Sequence, residues 1–86
     1  MVWLEEFLKL MIREAKLKWE DVNVKLIKLK KSRVEIHMVI RGEKVKLILY
    51  NDGRVWVVSR LTGLNIALKR ISQRILEKVR GIKSEE

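Results

Sequence analysis

From Leu4 to Ala15 the apolar residues recur every three or four positions: Leu4, Leu8, Met11 and Ala15, with Phe7, Ile12 and Trp19 widening the stripe. This spacing predicts an amphipathic helix from Val2 to about Lys18. Glu5 and Glu6 fall near the positive end of its dipole, and Lys16 and Lys18 near the negative end. Glu5 and Lys9 form an i,i+4 pair in the favourable order. Acids in the first turn and a β region downstream favour a core-facing helix over one lying in a membrane surface.

After Trp19-Glu20-Asp21 the period changes from helical to alternating. Val24 to Lys30 alternates, with a slip of phase between Leu26 and Ile27 that predicts a β-bulge there. Lys30-Lys31-Ser32-Arg33 reads as a basic turn. In the next strand Val34, Ile36, Met38 and Ile40 point one way, and Arg33, Glu35, His37, Val39 and Arg41 the other. Gly42-Glu43 fits a two-residue type II′ turn, which would pair Ile40 with Val45, Met38 with Leu47 and Ile36 with Leu49. Asn51-Asp52-Gly53 allows two readings. A two-residue Asp-Gly loop puts Trp56 and Val58 on the core face, and a three-residue loop with Gly53 at a bulge puts Val55 and Val57 there.

The last stretch returns to a helical period. Thr62 is a candidate N-cap, Leu64, Leu68, Ile71, Ile75 and Val79 form the buried stripe, and Gly81 fits the stop. The expected fold class is therefore α+β: a two-layer sandwich of an antiparallel four-stranded β-meander with an N-terminal and a C-terminal helix on one face. Residues 1–82 make one basic domain, and 83–86 a frayed tail.

This topology turns scattered charge into surface. The Lys30–Arg33 and Asn51–Arg54 turns fall at one end of the sheet, and the second helix runs back toward them. Lys28, Lys30, Lys31, Arg33, Arg54, Lys78 and Arg80 are thus the candidate nucleic-acid-binding residues. Val39, Ile48, Tyr50 and Trp56 are candidate interface residues on the uncovered face, beside His37, Lys44 and Lys46. A sheet face mixing apolar, aromatic and basic side chains can dimerise, dock a partner or stack bases.

Composition sharpens this picture. The chain of 86 residues carries 20 Lys and Arg against 11 Asp and Glu, a formal +9, and so attracts polyanions. There is no cysteine, which removes disulfides, thiolate nucleophiles and cysteine-held zinc. The single histidine, His37, has Glu35 two positions away but no triad context, and the acids show no metal-ligand spacing. No catalytic residue, metal site or cofactor is therefore expected. No apolar run approaches a membrane span and no basic leader precedes one, so a cytoplasmic protein is expected.

The layout also resembles two basic folds. Leu49-Tyr50-Asn51-Asp52-Gly53-Arg54-Val55 followed by a helix resembles part of the repeat unit of TATA-binding proteins. The helix–meander–helix order is similar to the α-β-β-β-α fold of the Alu-domain proteins of the signal recognition particle, although four strands are expected here where those have three. The resemblance implies a sheet surface that contacts nucleic acid, in the Alu proteins as a dimer. Phe7, the only phenylalanine, falls in the first helix, so the kinking of DNA by sheet phenylalanines is not implied. The leading expectation is a small nucleic-acid-binding module, RNA before DNA, acting mainly through charge. The alternative is a non-catalytic subunit, homodimeric or bound to a protein partner through the open sheet face.

Overall fold

The computed structural model describes residues 2–81. Their order is α1 (Val2–Glu14), a 3-10 turn (Trp19–Asp21), β1 (Val22–Leu29), β2 (Arg33–Ile40), β3 (Glu43–Tyr50), β4 (Val55–Val58) and α2 (Thr62–Arg80). The strands form one antiparallel sheet in the order β1-β2-β3-β4, with both helices on one face. This is the α-β-β-β-β-α sandwich that the periodicities predict. The tail expected at 83–86 lies outside the described residues.

The alternation of β2 and β3 builds the core. Val34, Ile36, Met38 and Ile40 from β2, Val45, Leu47 and Leu49 from β3, and Val55 from β4 are buried beneath the helices. Leu4, Phe7, Met11 and Ile12 of α1 and Leu68, Ile71, Ile75 and Leu76 of α2 close over them. No helix among the described residues is long and apolar enough to cross a membrane.

Several local features depart from the expected ones. Helix α1 stops at Glu14, short of Lys18: Lys16 takes a left-handed φ of 57°, and the Leu17 N–H donates to the Ile12 carbonyl at 2.9 Å. This Schellman closure turns Leu17 back onto the core. Trp19 falls beyond it and is exposed instead of widening the buried stripe. Helix α2 is not capped by Thr62. Leu61 occupies the N-cap without a side-chain bond, and Ser59 and Asn65 clamp the turn instead. The Leu61 N–H donates to Ser59 Oγ at 3.1 Å, and Asn65 Nδ2 donates to the Ser59 carbonyl at 3.1 Å.

The β2–β3 turn is Arg41-Gly42, not Gly42-Glu43. Both residues have positive φ, 49° and 84°, as a type I′ turn requires. Ile40 consequently pairs with Glu43, Met38 with Val45, Ile36 with Leu47 and Val34 with Leu49. The register is two residues from the expected one and leaves every side chain on the same face, because the side-chain period is itself two. What favours it is the far end. Both strands pair along their full length, and Asn51 ties the two distal turns together. Its backbone N–H donates to the Ser32 carbonyl at 3.0 Å and its Nδ2 to the Lys31 carbonyl at 3.1 Å.

Of the two readings of the β3–β4 turn, the three-residue loop is the one formed. Gly53 has φ 93°, its N–H donates to the Tyr50 carbonyl at 3.1 Å, and the Tyr50 N–H donates to the Arg54 carbonyl at 2.9 Å. Val55 is therefore buried and Trp56 faces outward. The bulge in β1 sits at Lys25, between Val24 opposite Met38 and Leu26 opposite His37. Coming earlier than expected, it turns Leu26 away from the helices.

Truncating Ile36, fully buried at the sheet centre, should cost about 2–5 kcal/mol as Ile36→Ala, through lost contacts and the cavity left behind. The opposite sign is expected at Ser72, whose Oγ is buried on α2 without a hydrogen bond. Ser72→Ala should stabilise by about 1 kcal/mol by removing an unsatisfied hydroxyl and raising helix propensity. Urea denaturation of both variants measures the two changes.

Candidate functional site

Residues paired across antiparallel strands share a face, so the registers map the open face in rows. Starting from the Asn51 end, the first row is Arg33 and Tyr50, and the second is Lys28, Glu35, Ile48 and Trp56. The third is Leu26, His37, Lys46 and Val58, and the fourth is Asn23, Val39 and Lys44. Rows lie about 7 Å apart along the strands. All four candidate interface residues, Val39, Ile48, Tyr50 and Trp56, thus stand on one surface. Trp56 is 57% exposed, Tyr50 and Val39 are half-buried, and Ile48 is buried among its longer neighbours.

Glu35 is the one acid in these rows, and it is only 6% exposed. Arg33 Nε donates to its Oε2 at 2.8 Å, while Lys46 Nζ and His37 Nε2 each stand 3.7 Å from its Oε1. The Arg33 hydrogen bond holds the Glu35 carboxyl below its ordinary range; burial opposes this and the Lys46 charge adds to it. His37 Nε2 is buried without a hydrogen bond.

The seven candidate nucleic-acid-binding residues fall into two layers. Lys28 and Arg33 are on the open face, and Arg54 joins them by stacking its guanidinium 4.7 Å from the Tyr50 ring centroid. Lys30 and Lys31 are exposed in the adjoining turn. Lys78 and Arg80 belong to the helix layer, where Arg80 stacks 4.5 Å from the Trp3 ring centroid, so the structure does not bring them onto the face. Two of the face cations also meet acids. Arg33 bonds Glu35, and Arg54 Nε donates to Asp52 Oδ2 at 2.7 Å. The carboxyl of Asp52 is held low chiefly by the hydrogen bond from the Arg54 backbone N–H. On this end of the open face and its adjoining turn, free positive charge therefore rests on Lys28, Lys30 and Lys31.

A groove of about 620 Å³ crosses the other half of the face. Lys25, Lys44, Lys46 and Arg60 line it with His37, around an apolar floor that includes Val39 and Val58, and no acid contributes to its walls. Lys25 and Arg60 are the residues that sequence reading missed. Lys25 comes into the groove because the bulge falls on it, and Arg60 because the Ser59–Asn65 clamp holds the β4–α2 connection over the sheet end. A lysine in a phase-slipped strand was the available signal for the first. Nothing local marked the second.

The open face thus carries an aromatic and aliphatic band, Ile48, Tyr50 and Trp56, with cations on both sides. Among the described residues no cluster of His, Asp or Glu is arranged to hold a metal ion. Compared with family models, curated proteins and solved structures, the chain shows no significant match, so the likeness in layout to the TATA-binding repeat and the Alu-domain proteins is not accompanied by a match to either.

The depressed carboxyl of Glu35 gives a pH test. Its ionised form stabilises the fold above the ordinary unfolded value of about 4.3, and that contribution is lost as pH falls through the lower folded value. Glu35→Gln should be less stable than wild type at neutral pH, and the difference should close as the solution is acidified through that range. Urea unfolding at stepped pH measures it. A constant difference would show that the Glu35 charge is not coupled to folding.

Proposed function

We propose that the protein binds single-stranded nucleic acid, RNA before DNA, on the open sheet face, with no chemistry of its own. The observation that carries this reading is Trp56, more than half exposed beside Tyr50 on a face whose only acid among the described residues, Glu35, is already bonded. Every base has a π face, so stacking on such a platform tolerates sequence. Phosphates would lie against Lys25, Lys44, Lys46 and Arg60 on one side of the band and Lys28, Lys30 and Lys31 on the other. An open sheet face suits splayed bases better than paired ones.

The same surface supports a second reading. Val39, Ile48, Tyr50, Trp56 and Val58 share it, with Trp56 and Val58 exposed, so a protein could cover it in a homodimer or a hetero-complex, and the positive charge would then serve an acidic partner. A duplex-binding surface would favour neither.

Fluorescence anisotropy on an oligo-uridine and on a mixed duplex, at stepped salt, separates these readings. Single-strand binding should exceed duplex binding and weaken with salt. Trp56→Ala should cost about 1–3 kcal/mol of affinity, the usual value of one stacked base. Lys44→Ala, Lys46→Ala and Arg60→Ala together should make the log–log salt slope shallower by about 2, whereas Lys78→Ala in the helix layer should leave it unchanged. If wild type binds neither nucleic acid at low salt, the subunit reading leads.

A further inference from the structure

Strand β1 is an open edge. It stands first in the sheet order, so among the described residues one side of its backbone has no partner, and the helices do not cover it: Leu26, Ile27 and Leu29 are 48%, 37% and 60% exposed. The opposite edge differs. Strand β4 has four residues, and α2 lies along it with Lys69 Nζ 5.8 Å from the Trp56 ring centroid. An uncovered edge with apolar side chains is a template for another strand.

Charge decides which strand. From Val22 to Arg33 the chain carries Lys25, Lys28, Lys30, Lys31 and Arg33 and no acid. A second copy pairing here would bring two such rows together, and lysines and a bulge on an edge are the usual guards against self-pairing. They offer no guard against a strand of opposite charge. The bulge at Lys25 ends the regular ladder on one side, and the Lys30 N–H turns back to the Arg33 carbonyl at 2.9 Å on the other. The run left for pairing is Leu26 to Leu29. Within it Leu26 and Lys28 face the open side of the sheet, and Ile27 and Leu29 face the helix side.

We propose that this edge accepts an extended acidic segment of another protein by β-strand addition, with apolar and acidic residues alternating along it. Its apolar side chains cover Ile27 and Leu29 on the helix side. Its carboxylates stand beside Lys28 on the open side, with Lys25 and Lys30 within diagonal reach. Backbone hydrogen bonds supply the attachment and the alternation supplies the selectivity. This inference shares Lys25, Lys28 and Lys30 with the nucleic-acid reading but does not rest on it, because the attachment is the backbone edge of β1 and not the aromatic band.

The probes are three blocked synthetic peptides: one alternating Glu and Val, one with the same composition but Glu and Val in separate blocks, and one alternating Lys and Val. Amide exchange is followed by NMR on the ¹⁵N-labelled protein. Alternating Glu–Val peptide should slow exchange at the outward amides of Leu26–Leu29 by about tenfold or more, while α2 amides stay unchanged. The block peptide and the Lys–Val peptide should not. Lys30→Glu, in the exposed turn, should weaken the Glu–Val effect and admit the Lys–Val peptide, and Lys28→Glu should do so more strongly where its α2 amides keep wild-type protection, since the new carboxylate stands opposite Glu35. Equal slowing by the block peptide would mean charge alone and would overturn the proposal. So would slowing that appears without peptide as protein concentration rises, which would make the occupant a second copy, or no slowing at all.

Discussion

The central hairpin can bury only one of its two faces, and the helices seal that face. Val34, Ile36, Met38 and Ile40 with Val45, Leu47 and Leu49 are held beneath α1 and α2. Each residue between them is thereby sent to the other side, whatever its own preference. Arg33, Glu35, His37 and Val39 leave β2 that way, and Lys44, Lys46, Ile48 and Tyr50 leave β3. A slip of one residue would expose the entire apolar set, so the core fixes the composition of the open face as firmly as its own packing.

On that face the electrostatics centre on Glu35. A carboxylate taken this far from water is tolerable because Arg33 bonds it directly and Lys46 stands close by. In return the carboxylate aims both cations and consumes part of their charge. Asp52 does the same for Arg54 at the turn. Positive charge is consequently strongest where no acid reaches, in the groove lined by Lys25, Lys44 and Arg60 and along the lysines of β1 and its turn. The aromatic band lies between. The two proposed contacts, a single strand over the band and an acidic strand along the β1 edge, draw on this one uneven distribution from different sides.

Much of this was legible in the chain itself. Alternation in β2 and β3 and the three-to-four spacing in the helices set the fold class, the core faces and the placing of Val39, Ile48 and Tyr50 together; Trp56 joins them only through the three-residue loop at Gly53. These features depend on neighbours within a few positions, where the geometry of strand and helix is the same in every protein. Other features were not legible. That Arg80 would stack on Trp3 in the helix layer, and that Arg33 and Arg54 would meet acids, is not written in the pattern of charges. A net charge says nothing of which acid each cation finds.

The sequence by itself determined which residues of β2 and β3 share a face, because parity along a strand survives any even shift of register. Only the tertiary structure decided the shift itself, since Arg41-Gly42 and Gly42-Glu43 are both competent turns and the choice rests on pairing at the far end, where Asn51 reaches Lys31 and Ser32. It also decided that the bulge falls at Lys25, which puts that lysine into the groove and turns Leu26 out of the core. The length of α1 was decided the same way, by Leu17 folding back onto residues distant in sequence. In each case local rules allowed more than one outcome, and contacts between distant parts of the chain selected one.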